Sequence, residues 1–288
     1  MSAVSQTLAV PGAVLTYDIR RVEGSSEPPL VLIGSPKGAG GFTTLAGHFA
    51  DRTVVTYDPR GVERSTKDDP ATESTPEQHG DDVHRIIEAV GGPVDLFASS
   101  GGAVNALALV TKHPDDVRTL VAHEPPLAAI LPDRGGALAA SRAVRDAYQR
   151  AGFGAGMARF IAVVSHVGPF PPDYGEQPPS DPAAFGLPAD DDGSRTDPLL
   201  FQNIISSTHF EPDFEALRAA ATRVVLAAGE ESAGTLANRG AHAAAERLGT
   251  EAVAFPSNHG GFLGGEYGQA GQPEAFAAKL REVLDGTP

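Results

Sequence analysis

The sequence contains no cysteine and no tryptophan, and it has only 2 methionines and 6% aromatic residues. The absence of cysteine excludes disulfides, thiolate nucleophiles and metal sites ligated by cysteine. Basic residues are also scarce, because 22 Lys and Arg stand against 37 Asp and Glu, which gives a formal net charge of −15 and a pI near 4.9. Such a surface repels nucleic acids and anionic lipids, so we expect neither nucleic acid nor membrane as a partner.

Long apolar runs are missing as well. The longest are too short to cross a bilayer, and residues 1–16 contain Pro11 and Gly12 and lack a basic start followed by an apolar stretch. We therefore predict a soluble, cytoplasmic protein without a secretory signal. The 288 residues suffice for a large core of their own. The sequence carries no signal for the oligomeric state.

Short runs rich in β-branched residues alternate with alanine-rich amphipathic stretches along most of the chain. This alternation is typical of an α/β protein with a mostly parallel sheet flanked by helices. We predict strands at residues 14–19, 30–33, 54–58, 94–97, 119–123, 223–228 and 251–255. Helices are predicted at residues 42–50, 80–90, 101–113, 233–248 and 272–284, and Pro114 and Gly249 provide stops for two of them.

The alternation breaks between residues 127 and 215. Two helical stretches, 137–151 and 154–166, precede a polar loop at 168–198 that holds eight prolines. We predict a core formed by residues 1–126 and 216–288, with residues 127–215 inserted as a helical cap. The loop suits either a mobile lid or a solvated connector. The apolar residues of the insert suit either a moderately apolar substrate group or packing of the cap onto the core: Phe153, Met157, Phe160, Ile161, Val164, Phe170, Phe185, Phe201, Ile204 and Phe210.

A tight turn of small residues, reading Ala-Ser-Ser-Gly-Gly at 98–102, joins a predicted strand to a predicted helix. A nucleophile elbow of this kind strains its central residue and requires small residues two positions before and after it. With Ser100 at the centre these positions are Ala98 and Gly102, whereas Ser99 would place the bulky Phe97 there. We therefore predict Ser100 as a nucleophile and the Gly101 N–H as an oxyanion donor, with a purely structural turn as the alternative.

The elbow resembles that of the α/β-hydrolase superfamily, with Ala98 in place of the first glycine of G-x-S-x-G. The glycine-rich loop within 31–41, the segment 54–61 and a late histidine loop extend the resemblance over nearly the whole chain. It implies an α/β-hydrolase fold with an inserted cap and a catalytic histidine after the last strand. His259 lies in that position, at 256–262, and we predict it as the base that activates Ser100.

The acid of the triad has two candidate positions. The family most often places Asp after the penultimate strand, three residues beyond a glycine, but the corresponding residue here is Ser232. Glu124 instead follows the strand after the elbow, which resembles a branch of the family that includes zearalenone lactonases. We predict Glu124 as the acid, with Glu230 or Glu231 as the alternative.

The resemblance also implies a second oxyanion donor from the loop at 34–38. Because Pro36 has no N–H, we predict Ser35 as this donor, with Lys37 as the alternative. The Lys37 side chain could instead bind an anionic substrate group, or it could be an ordinary surface lysine.

The same region imitates a dinucleotide-binding fingerprint, because Gly38 and Gly40 follow a strand and Asp58 ends the next one. The third glycine of that fingerprint would be at position 43, which is Thr43. We therefore expect no cofactor. We also predict no metal site, because the nine histidines are dispersed and form no His-x-x-x-His pair beside a carboxylate.

Together these residues predict a serine hydrolase that cleaves a small-molecule carboxylic ester or lactone through an acyl-enzyme on Ser100, with His259 and Glu124 completing the triad. Other chemistries share the fold, namely carbon–carbon bond hydrolysis, acyl transfer, perhydrolysis and cofactor-free oxygenation. A catalytically silent module that binds a small ligand is the alternative from a different class. The sequence does not specify the substrate.

Overall fold

The computed structural model describes residues 3–178 and 181–286, and it shows an α/β architecture as predicted. The strands of its nine-stranded sheet are β1 (Val4–Val10), β2 (Ala13–Arg20), β3 (Leu30–Ile33), β4 (Val54–Asp58), β5 (Thr66–Lys67), β6 (Val94–Ser99), β7 (Val117–His123), β8 (Arg223–Gly229) and β9 (Val253–Phe255). The helices are α1 (Thr43–Gly47), α2 (Pro76–Val90), α3 (Gly101–Lys112), α4 (Arg134–Val164), α5 (Ile204–Thr208), α6 (Phe214–Ala219), α7 (Leu236–Leu248) and α8 (Pro273–Leu284).

The strand order is β1-β2-β4-β3-β6-β7-β8-β9, with β5 paired to β2. Strands β3, β4 and β6 to β9 are mutually parallel, whereas β1 and β5 run antiparallel to β2 and β2 runs antiparallel to β4. All seven predicted strands are present. The prediction missed β1, which is mostly solvent-exposed and shows no buried face, and β5, which has only two residues.

Local sequence signals explain the start of α2 and the end of α7. The Thr75 hydroxyl accepts a hydrogen bond from the Gln78 N–H and caps α2, which begins at Pro76, four residues before the predicted start. Gly249 ends α7 in the left-handed conformation, as predicted. The helix predicted at 42–50 is shorter than expected, because residues 39–42 form a 3₁₀ turn before α1 and residues 48–50 form turns after it.

The parallel strands bring the ends of β6, β7 and β8 to one edge of the sheet. In the register of this sheet Ser99 lies beside His123, and His123 lies beside Ala227. Both faces of the sheet are covered by apolar clusters, one around Leu96 and Leu120 and the other around Phe97. The residues that follow these three strands therefore meet at the carboxyl edge, where open α/β sheets bind ligands.

The segment between β7 and β8 contains α4, α5 and α6. Helix α4 has a break at Ala151 and Gly152, which matches the two predicted helical stretches. The loop at 168–198 contains only two short 3₁₀ turns, Tyr174–Glu176 and Pro182–Phe185, and residues 179–180 of that prediction lie outside the described residues. The predicted domain limits also include residues 1–2 and 287–288, which lie outside the described residues.

Hydrogen bonds join the insert to the core. The His79 ring on α2 pairs with the Asn203 side chain at 2.8 Å, and the Ser74 N–H donates to the Gln202 carbonyl at 2.9 Å.

Within residues 3–178 and 181–286, no helix has the length and hydropathy to cross a membrane.

Candidate active site

Ser100 forms the apex of a sharp turn between β6 and α3. Its backbone angles, φ 58° and ψ −127°, are costly for a residue with a side chain. The Ser100 N–H donates to the His123 carbonyl at 2.9 Å, which fixes the turn against β7. A β-carbon at Gly102 would lie 2.7 Å from the Gly34 Cα, so the loop after β3 approaches too closely for any larger residue. This is the steric requirement expected of a nucleophile elbow.

Glu124 and His259 contact each other at the same sheet edge. Glu124 directly follows β7, and His259 lies in the loop after β9. The His259 Nδ1 and the Glu124 Oε2 are 2.7 Å apart. The Glu124 side chain is fully buried, whereas 43% of the His259 side chain is exposed. A buried carboxylate that orients a solvent-facing imidazole is the arrangement that a general base requires.

The second carboxylate oxygen of Glu124 is held by the end of β8. The Gly229 N–H donates to Glu124 Oε1 at 2.9 Å, the Ser232 hydroxyl donates to the same oxygen, and the Asn238 amide lies 3.4 Å from it. Burial raises the pKa of Glu124, but the hydrogen bond to His259, the nearby His123 and the Ser232 hydroxyl outweigh burial and lower this pKa to about 2. Glu124 is therefore ionised at neutral pH.

The alternative acids stand in a different environment. Glu230 and Glu231 are both exposed, and the Glu231 carboxylate accepts hydrogen bonds from Ser257 and Gln272 rather than from His259. Ser232, at the usual position of the family's acid, supports Glu124 instead. The sequence did not reveal this support, nor the contribution of Asn238.

The two predicted oxyanion donors lie near one another. A β-carbon at Gly101 would lie 2.6 Å from the Ser35 carbonyl oxygen, so the loop after β3 lies against the first residue of α3. Within the described chain, neither the Gly101 N–H nor the Ser35 N–H donates a hydrogen bond. Gly101 also begins a 12-residue helix, whose dipole adds positive potential at this end.

The Ser100 hydroxyl forms no hydrogen bond with His259 or with any other described residue. Serine–histidine contacts are often longer before substrate binds, so this geometry is compatible with base catalysis. Strained backbone marks the surroundings, because Ser100, Glu124 and Ser257 all have positive φ values of 58°, 48° and 68°. Strain of this kind concentrates at functional sites.

His123 is a buried histidine behind the site that the sequence analysis did not single out. Its ring is fully buried, lies 5.2 Å from the Phe276 ring and 6.0 Å from the His259 ring, and neither ring nitrogen has a hydrogen-bond partner among the described residues. Burial lowers the pKa of His123 to about 3, so the ring is neutral at pH 7. Its signal in the sequence was a polar residue at the end of an apolar strand.

Other candidate binding features lie elsewhere. Asp58, the acidic residue of the dinucleotide-like fingerprint, is buried. Its carboxylate accepts a hydrogen bond from the Ala39 N–H at 2.8 Å and forms an ion pair with Arg64 at 2.6 Å, so it is not free to bind the ribose of a dinucleotide. His84, His113 and Asp116 form the one group of possible metal ligands among the described residues. The two imidazoles stack at 3.8 Å with planes only 5° apart, so their nitrogen lone pairs do not converge on one ion.

A cavity of about 560 Å³ lies between core and insert, with Lys67, Tyr148 and Gln202 in its lining, but none of Ser100, Glu124 and His259 lines it. Most of the predicted apolar insert residues belong to one hydrophobic cluster that also includes Leu236 and Ala243 of the core helix α7: Phe153, Met157, Phe160, Phe170, Phe201 and Ile204. This arrangement favours the packing interpretation for those residues. Val164 and Phe185 are exposed.

Comparisons with known proteins identify the family. The family model described as alpha/beta hydrolase fold matches residues 28–188. The uncharacterised hydrolase YraK of Bacillus subtilis is 31% identical over 268 residues, which cover 91% of this chain and 92% of YraK.

Solved structures show the same fold at lower identity. An esterase from Thermogutta terrifontis superposes with a TM-score of 0.66 at 18% identity, over 100% of this chain and 99% of that one. The enol-lactonase of Burkholderia xenovorans gives a TM-score of 0.65 at 18% identity, over 97% and 100%. The chain belongs to the α/β-hydrolase family.

Proposed function

We propose that this protein hydrolyses carboxylic esters or lactones of small molecules through an acyl-enzyme on Ser100. The observation that carries the proposal is the 2.7 Å contact between His259 and the buried, ionised Glu124, at the sheet edge where Ser100 occupies the strained apex of the elbow. The names of two structural neighbours, an esterase and an enol-lactonase, are consistent with it.

In the proposed mechanism the Ser100 Oγ attacks the substrate carbonyl carbon while His259 Nε2 accepts the hydroxyl proton. Glu124 holds the other ring nitrogen and stabilises the imidazolium that forms. The Gly101 and Ser35 N–H groups stabilise the oxyanion. The carbon–oxygen bond to the leaving group then breaks, and His259 returns the proton to the departing oxygen. Water, activated by His259, attacks the acyl carbon and releases the acid and Ser100.

The insert at 127–215 is proposed to act as the cap, with the substrate bound between it and the carboxyl edge of the sheet. It joins the core through buried polar contacts such as that between His79 and Asn203. A cap that encloses a small substrate also limits the access of water to the site.

A panel of small esters and lactones tests the proposal, with wild type compared with Ser100→Ala and with the matched variant Ser99→Ala. We expect turnover of at least one substrate in wild type and in Ser99→Ala, and none above background in Ser100→Ala. Turnover that survives Ser100→Ala contradicts the acyl-enzyme. Ligand binding without turnover in wild type and Ser100→Ala alike indicates the silent binding module instead.

A further inference from the structure

Lys37 lies on the loop that carries Ser35, and among the described residues its ammonium group has neither an ion-pair partner nor a hydrogen-bond acceptor. No carboxylate of the described chain lies within 4 Å of the Lys37 Nζ, and no described acceptor forms a hydrogen bond with it. The negative field that acts on it comes from Glu266, whose carboxylate accepts hydrogen bonds from the Thr44 and Gly264 N–H groups at 2.8 and 2.6 Å. The charge of Lys37 is therefore not neutralised by direct contact.

The side chain of Lys37 packs against neighbouring residues rather than extending into solvent. A β-carbon at Gly41 would lie 2.5 Å from the Lys37 Cδ, so the absence of a side chain at Gly41 makes room for the lysine stem. The Nζ lies 4.5 Å from the centre of the Phe262 ring and 5.9 Å from that of Tyr267. The ammonium thus ends between the oxyanion loop and the loop that follows His259.

The residues around the Lys37 ammonium leave it charged but only partly solvated. Burial lowers the pKa of Lys37 to about 8, and the negative field of Glu266 opposes that shift. The face of the Phe262 ring attracts the cation without supplying a hydrogen-bond acceptor. A half-buried ammonium with unused donors, on the loop that carries Ser35 and packs against Gly101, is suited to pair with an anionic group of a bound molecule.

We infer that Lys37 forms a carboxylate subsite, so that the preferred substrates are small esters or lactones that also carry a carboxylate. This inference rests on the proposed function and narrows it to a substrate class. With a net charge of −15 the average surface repels such a substrate, and the ammonium of Lys37 supplies an attractive positive charge on the oxyanion loop. In this arrangement Lys37 selects the substrate and takes no part in proton transfer.

The kinetic test compares monomethyl glutarate, which carries one carboxylate, with the neutral dimethyl glutarate. We expect wild type to have a kcat/KM at least about tenfold higher for the monoester, and Lys37→Met to lose most of this preference through KM. Lys37→Arg should retain part of the preference because it keeps the charge. Lys279→Met, which removes a lysine on α8, is the matched control and should leave the preference unchanged.

A binding measurement separates this inference from the proposed reaction. Calorimetry with glutarate itself needs no turnover, and we expect at least about tenfold weaker binding to Lys37→Met than to wild type. Equal binding by both proteins, or no binding by wild type, overturns the subsite even if esters are hydrolysed. Glutarate binding that depends on Lys37, without hydrolysis of any ester, supports the subsite and contradicts the proposed reaction. Thermal melting of each variant verifies that it folds.

Discussion

The ends of β7 and β8 are adjacent in the sheet, yet the acidic residue after β7 is buried and those after β8 are exposed. At the end of β7, Glu124 is fully buried and contacts His259. At the end of β8, Glu230 and Glu231 are exposed, although this strand end is the more usual position of the acid in the family. Burial and contact with the imidazole, rather than the presence of a carboxylate, distinguish the candidate acid from its neighbours.

The end of β8 nevertheless takes part in the site. Its Gly229 N–H and Ser232 hydroxyl, together with Asn238 on α7, bind one oxygen of Glu124 and leave the other for His259. A buried carboxylate is costly unless its oxygens are hydrogen-bonded. One strand end therefore supplies the candidate acid, and the other supplies donors that stabilise its charge.

The largest effect should follow from removing the charge at β7. Glu124→Gln keeps the size of the side chain but cannot stabilise the imidazolium, so we expect kcat/KM for an ester substrate to fall about 10³- to 10⁴-fold. Steady-state kinetics across pH 6 to 9 measure this loss. Activity within a few-fold of wild type would place the acid elsewhere.

A smaller effect should follow from weakening the support at β8. Ser232→Ala removes one donor to Glu124, and we expect kcat to fall about tenfold with little change in KM, because a hydrogen bond to a charged group is worth about 1.5–3 kcal/mol. Ser232→Thr retains the hydroxyl and should recover most of the activity. If both variants match wild type at every pH, Ser232 does not position the acid.

The two strand ends also differ in a titratable group. His123 at the end of β7 pairs in register with Ala227 of β8, so only the β7 residue can make the stability of the fold depend on pH. Buried neutral His123, with its pKa lowered to about 3 by burial, takes up no proton in the native state until that pH, whereas the unfolded chain does so below about 6.5. Protonation of the unfolded chain therefore lowers the free energy of unfolding as the pH falls from 6.5 towards 3, whereas above pH 6.5 this group causes no loss. The slope is about 1.4 kcal/mol per pH unit for one such group.

Denaturant unfolding at pH 7, 6 and 5 tests this expectation. His123→Phe, which suits the surrounding phenylalanines, should flatten the dependence of the unfolding free energy on pH, and His242→Gln serves as the control because it removes an exposed histidine. A slope that is as steep in His123→Phe as in wild type would show that this ring is not buried neutral.

The smallest effect should come from the exposed acids at β8. We expect Glu231→Gln and Glu230→Gln to change kcat/KM by less than about fivefold, because an exposed charge contributes at most about 1 kcal/mol. The same ester assay used for Glu124→Gln measures it. A loss of several hundredfold in Glu231→Gln would reverse the assignment of the two strand ends.

Periodicity and turn chemistry were sufficient to predict the α/β class, seven strands and the elbow. Steric rules were informative at the elbow, because only one register puts small residues at positions 98 and 102. The edge strand Val4–Val10 was missed because its side chains are mostly exposed and its position depends on pairing with β2. The hydrogen bonds of Ser232 and Asn238 to Glu124 could not be predicted, since they join residues more than a hundred positions apart.

The most direct test of the central claim is the mass of the intact protein after treatment with a fluorophosphonate, followed by peptide mapping, in wild type and in His259→Ala. The account predicts one adduct on Ser100 in wild type and its loss in His259→Ala, because only the base-activated hydroxyl reacts readily. An adduct on another residue, or no adduct on folded wild-type protein, would contradict a nucleophilic Ser100 activated by His259.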